Sequence, residues 1–180
     1  MEKEKNKTSA HIKKITVLAV MTALAVICSS NFPYGLTVRV GGFMKLSPVF
    51  IIIGIVAATY GTWEAALVAF LSDLIQSLTA GLGLSPAILI ISTLTGLCFG
   101  FFLKGNKLNI INIIISVLFT QIIGSLGLTT AVLCLRYGMP FSPTIYWRLL
   151  QTVILIVIEI PILKLLLINF DIPGKLLKTK

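Results

Sequence analysis

The chain has 180 residues, 57% of them apolar, with a mean hydropathy of +1.02 and a formal net charge of +9. A soluble core does not need this much apolar length. A polytopic membrane protein does, because each span takes roughly 20 apolar residues to cross about 30 Å of hydrocarbon. The length fits about six such spans and leaves no stretch for a separate soluble domain. The only histidine, His11, lies in the polar N-terminal tail. Cys28, Cys98 and Cys134 fall in separate segments without C-x-x-C spacing. That pattern argues against a metal cage or a disulfide framework.

In chain order, the predicted spans are residues 12–29, 47–60, 63–79, 86–103, 108–133 and 143–168. The basic residues before the first span superficially resemble a signal peptide. No Ala-x-Ala-type cleavage site follows Ile27, and further spans do, so an uncleaved first span is expected. The second and third spans are short and joined by Tyr60-Gly61-Thr62, which predicts a tight hairpin among longer helices. Gly124, Gly127 and Thr129-Thr130 predict that the fifth span bends or ends early. Glu159-Ile160-Pro161 predicts a kink in the sixth. The expected fold is an all-α membrane protein, a six-transmembrane-helix bundle. A single domain, residues 12–170, lies between basic tails at 1–11 and 171–180.

Charge assigns the sides. Lys3, Lys5, Lys7, Lys13, Lys14, Lys104, Lys107, Lys164, Lys175, Lys178 and Lys180 fall on one side; Arg39, Lys45, Arg136 and Arg148 fall on the other. The positive-inside bias therefore places both termini in the cytoplasm. Every Arg lies in the outer half, whereas the inner side carries only Lys. Arg suits bidentate capture of carboxylate or phosphate, and Lys suits a diffuse charge. Single outer bases are accounted for as snorkelling anchors; the four together favour an anion-binding outer pocket.

Three outer constellations bear on that pocket. Asp73, Gln76 and Ser77 share a face of the third span at i, i+3 and i+4. An ionisable group at this depth is costly and either pairs with a base such as Arg148 or meets a polar ligand. Arg148 and Gln151 share a face near the outer end of the sixth span, beside Tyr146 and Trp147. An Arg for carboxylates, an amide for a heterocycle edge and aromatics for stacking suit a flat anionic ligand. An interfacial aromatic belt accounts for one of those two aromatics. The long segment 31–46 holds Arg39, Phe43 and Lys45 among glycines and reads as a lid, or else as a solvated connector. Two small-x-x-x-small faces, Ala19/Ala23 and Gly96/Gly100, suit either internal packing or docking to a partner helix.

Catalytic machinery is missing from the sequence. The segment from Gly100 to Lys107 lacks the Gly-Lys-Ser/Thr ending of a phosphate loop. There is no HExxH, no paired catalytic carboxylates and no G-x-S-x-G. The expectation is a non-enzyme with no cofactor and no nucleic-acid partner. Transport against a gradient would then need ion coupling, with Asp73 and Glu159 as candidates, or a partner that hydrolyses ATP.

Several stretches resemble a known family. They are Lys45-Leu46-Ser47 with Tyr60-Gly61, Ala69-Phe70-Leu71-Ser72-Asp73, Leu94-Thr95-Gly96 with Gly100, and Arg136-Tyr137-Gly138 with Arg148-Leu149-Leu150-Gln151 and Glu159–Leu163. In order and spacing they resemble the substrate-binding S components of energy-coupling factor (ECF) vitamin importers, most closely the folate group. The loop 81–86 is shorter and less aromatic than in that group, and Gly41 and Gly42 stand where more bulk is expected. Another anionic vitamin is therefore the alternative ligand. The resemblance implies a six-helix bundle in the cell membrane that binds a folate-like vitamin from outside. It also implies assembly with a membrane coupling protein and two cytosolic ATPases, with Ala19 and Ala23 meeting the coupling protein. Arg39, Lys45, Arg136 and Arg148 would clamp carboxylates. Asp73, Gln76 and Gln151 would hydrogen-bond the heterocycle, and Phe43, Tyr137 and Tyr146 would stack on it or cover it.

Overall fold

The computed structural model describes residues 2–30, 36–40, 44–79, 85–104, 109–138 and 140–169, with backbone alone for 2–10, 38–40, 44–45 and 136–137. Its helices are α1 (Glu2–Ser29), α2 (Val49–Thr59), α3 (Thr62–Thr79), α4 (Pro86–Leu103), α5 (Ile110–Phe119), α6 (Thr130–Tyr137) and α7 (Phe141–Lys164). Four helical stretches, His11–Ser29, Pro86–Leu103, Ile110–Leu135 and Phe141–Asn169, are long and apolar enough to cross a membrane. The 11 residues of α2 reach only about 16 Å. The architecture is an all-α membrane fold with one small β element.

That β element departs from the expected loop. Val38–Val40 (β1) pairs antiparallel with Met44–Leu46 (β2), in the register Val38↔Leu46, Arg39↔Lys45 and Val40↔Met44. Val-Arg-Val and Met-Lys-Leu alternate apolar and basic residues, as a two-faced strand requires. Two three-residue strands are too short to stand out beside 18-residue apolar runs.

Local sequence accounts for the helix boundaries. Pro86 occupies the first turn of α4, where its missing N–H leaves no bond unmade. Gly61, at φ 109°, makes the turn between α2 and α3, and Gly138, at φ 63°, ends α6. Helix α1 begins at Glu2, so the tail expected before residue 12 is already helical; its Glu and Lys residues are good helix formers. At neither of two expected irregularities does the helical winding stop. The stretch Thr120–Thr129 winds as a π-helix that joins α5 to α6 without a break, and Thr129 Oγ1 donates to Gly124 O five residues back (2.8 Å). Helix α7 runs through Pro161, and its winding changes only at Leu165–Asn169, again to a π-helix.

The core is drawn mainly from α2, α3, α4, α5 and the end of α7: Val56, Ala57, Ala65, Val68, Ala69, Phe99, Leu103, Ile113, Val117 and Leu163. Contacts between α3 and α4 run in opposite order along the two helices, from Thr62 against Gly100 to Asp73 against Ser92, so the pair is antiparallel. A Cβ on Gly96 would lie 2.6 Å from Ala65 O and 2.7 Å from Ala66 Cα; one on Gly100 would press on Thr62 Cα. The Gly96/Gly100 face is therefore internal packing. Outward positions such as Leu67, Leu78, Ile90, Val153 and Val157 are exposed, as a bundle solvated by lipid requires.

Candidate functional site

Helix α7 has a buried stripe at a spacing of three and four residues. Thr144, Arg148, Gln151 and Thr152 come first, followed by Leu155, Glu159 and Leu163. Its first half is polar and includes the one arginine whose side chain is described. Arg148 is only 8% exposed, yet its Nε has no hydrogen-bond partner among the described residues. Thr152 Oγ1 and Thr130 Oγ1 are likewise buried and unpartnered. Buried polar groups are normally satisfied, so the orphaned Arg148 Nε and Thr152 Oγ1, one turn apart on the inward face of α7, mark a place shaped for something else.

Helix α3 has a polar inward position of its own. Its most buried line is Ala65, Ala69, Ser72 and Gln76, with Gln76 5% exposed. Asp73 lies on the flank of that line toward α4, where Asp73 Oδ2 accepts a hydrogen bond from Ser92 Oγ. The ion pair between Asp73 and Arg148 is not formed. Among the described residues the only salt bridge is Lys14–Glu64. The reason is geometric: the glycine face of α4 draws that helix onto α3, and Ser92 reaches the carboxylate first.

The β-hairpin is fastened over this end of the bundle. Thr37 Oγ1 and Ser47 Oγ, one on each side of it, both donate to Cys28 O, at 2.9 and 3.1 Å. Thr37 N adds a bond to Ser30 O at 3.0 Å. Cys28 O is among the last carbonyls of α1, which have no partner within the helix, so two hydroxyls complete the helix end and root the hairpin. Strand β2 packs against α7. The backbone register sets Arg39 opposite Lys45. The side chains of Arg39, Lys45, Arg136 and Tyr137, and the whole of Phe43, lie outside the described residues.

The structure places Tyr146 off the buried stripe of α7. It is 73% exposed, and Trp147 beside it is 43% exposed. Two residues along a helix turn through about 200°, which carries Tyr146 away from the Arg148 face. Tyr146 belongs to the outer aromatic surface of α7. Ala19 and Ala23 are exposed on α1 beside Val20 and Leu24, while Thr22, Ala25 and Ser29 face inward. Reasoning from sequence missed Thr144 and Thr152, although their spacing of four from Arg148 was visible. It also missed Gln121, whose signal is an amide inside an otherwise apolar run.

With this geometry in hand, the chain can be set beside known proteins. Residues 13–170 match the family described as "ECF transporter, substrate-specific component". The crystal structure of FolT bound with folic acid has a similar fold, with a TM-score of 0.76 at 24% identity, over 86% of this chain and 92% of that one. No curated protein sequence matches. The family match spans nearly all of the helical bundle, and the chain belongs to the substrate-specific components of ECF transporters: a multi-pass membrane protein of transport, not an enzyme.

Proposed function

We propose that the protein is the ligand-binding subunit of an ATP-driven vitamin importer of the cytoplasmic membrane, and that its ligand is folate or a folate-like anion. The observation that carries the proposal is Arg148, a buried guanidinium without an ion-pair partner among the described residues, on a polar inward face beside the hairpin. Keeping such a group at membrane depth is costly unless an anion completes it. Arg148 clamps a carboxylate, helped by Arg39 and Lys45 of the hairpin and by Arg136 at the end of α6. Gln76, Gln151 and Asp73 hydrogen-bond the heterocycle, and Phe43 and Tyr137 cover it. The likeness in fold to a protein crystallised with folic acid supports the choice of ligand.

The bundle crosses the membrane six times, with α2 and α3 as a short hairpin inside it and both termini cytoplasmic. A membrane coupling protein and two cytosolic ATPases supply the energy, and the exposed Ala19/Ala23 face of α1 docks the coupling protein. The test is a titration of the purified chain with folate, following Trp63 and Trp147 fluorescence or heat. One-to-one nanomolar binding is the expected result, weakened about 100-fold or more in Arg148→Ala. Unchanged affinity in a folded Arg148→Ala protein sinks the role given to that residue. Absence of folate binding in the wild type sinks the ligand, and a thermal-shift screen of other anionic vitamins replaces it.

A further inference from the structure

The vitamin-binding reading leaves one buried polar pair unused. Glu159 on α7 is 3% exposed, and its Oε1 accepts a hydrogen bond from Gln121 Nε2 at 2.7 Å. Gln121, 6% exposed, sits in the π-helical segment Thr120–Thr129. Two acceptors of this pair, Glu159 Oε2 and Gln121 Oε1, are buried with no partner among the described residues. An ionised Glu159 would leave both orphaned.

Among the described residues Glu159 has no ion-pair partner. The elements packed most extensively against α7 are α2, α5, α6, β2 and the two π-helical segments. Helices α2 and α5 and both π-helical segments contain no Lys, Arg, His, Asp or Glu. Helix α6 carries Arg136, Cys134 and Tyr137, at least 13 positions beyond Gln121 on the same rod, about 20 Å away along the helix. Strand β2 carries Lys45, at the hairpin end. On α7 itself, Arg148 lies about 16 Å from Glu159 along the axis, with buried Leu155 between them. Lys164 is exposed, and buried Leu163 separates it from the carboxyl. The two hydroxyls just before Gln121 on its own rod are already spent: Ser116 Oγ donates to Ile113 O, and Thr120 Oγ1 to Ser116 O. Thr152, unpartnered among the described residues, lies seven residues, about 10 Å along the axis, from Glu159.

We propose that Glu159 and Gln121 form a built-in proton site, in which Glu159 is the neutral carboxylic acid and its Oε2–H donates to Gln121 Oε1. One proton then satisfies both orphaned acceptors. The amide and the acid each give one hydrogen bond and take one, and no charge remains in the hydrocarbon. The pair fastens the π-helical segment to α7. It lies away from the polar half of α7 and does not depend on the identity of the vitamin.

The experiment is infrared spectroscopy of the purified full chain at neutral pH, wild type minus Glu159→Gln. The expected difference is the C=O band of a hydrogen-bonded carboxylic acid, shifting in heavy water. Glu159→Gln should fold and melt within a few degrees of the wild type, because a second amide closes the same ring. Gln121→Leu should move the acid band to the higher frequency of a free carbonyl. A carboxylate band in the difference spectrum overturns the proposal, and so does a Glu159→Gln protein that fails to fold or an acid band unmoved in Gln121→Leu. Stabilisation of the wild type, but not of Glu159→Gln, by sodium chloride over choline chloride also overturns it, because the two oxygens would then be holding a metal cation.

Discussion

Arg148 and Asp73 are both ionisable groups on helices of the bundle, and the bundle treats them differently. Asp73 is met by Ser92 Oγ, whereas Arg148 Nε meets no acceptor among the described residues. Asn at position 73 keeps an oxygen for Ser92, so Asp73→Asn should change stability by less than about 1 kcal/mol. Ser92→Ala leaves the carboxylate without that donor and should cost about 1–3 kcal/mol. Thermal unfolding of the two variants in one detergent checks the order. Arg148→Lys keeps the charge but loses the planar fork. It should bind folate more weakly than the wild type and more tightly than Arg148→Ala, and a titration series shows whether geometry or charge dominates.

Among the elements, closest approach and winding decide what a substitution costs. Gly96→Ala drives a methyl group into the backbone at Ala65 and Ala66, and backbone cannot rotate away. Overpacking of this kind costs roughly 1–3 kcal/mol, so Gly96→Ala should lower the melting temperature clearly. Gly124 lies in the π-helical segment, where an added Cβ meets only Thr95 Oγ1 at 3.7 Å. Gly124→Ala should therefore be tolerated, and melting both variants side by side tests the contrast. The hairpin hangs from Cys28 O by two hydroxyls. A paired Thr37→Val and Ser47→Ala change should speed ligand release more than it lowers the melting temperature, as stopped-flow dissociation would show. The π-helical winding at Thr120–Thr129 was not legible in the sequence, because glycines and threonines in an apolar run signal irregularity without saying which kind.

At the scale of the whole molecule, the exterior divides by chemistry. Most exposed large side chains on the helices are apolar and meet lipid, while the Ala19/Ala23 face of α1 is exposed and small. Replacing Ala19 or Ala23 with Trp should leave folding and folate binding unchanged and abolish co-purification with the coupling protein and ATPases. Loss of folding in those variants would show that the face is internal packing. The Lys bias predicts that cysteines placed in either terminal tail are labelled only from the cytoplasmic side of oriented vesicles.

By itself the sequence determined the membrane class and the all-helical character, because hydropathy and charge are sums over long windows that no tertiary contact reverses; the family was legible in its short motifs and their order. It also picked out Arg148 and Gln76 as candidates for the interior, since a polar group in a span must face away from lipid. Which partner each polar group meets was decided only by the tertiary structure. An ion pair between Asp73 and Arg148 was open from the sequence, and the packing of α4 on α3 set Ser92 against Asp73 with no such pair formed. Tyr146 was offered to the pocket, and the phase of α7 turned it outward. Gln121 and Glu159 lie 38 residues apart and find each other only because the rod of α5 and its π-helical extension lies against α7. Such pairings depend on helix phase and interhelical distance, quantities that a one-dimensional pattern does not contain.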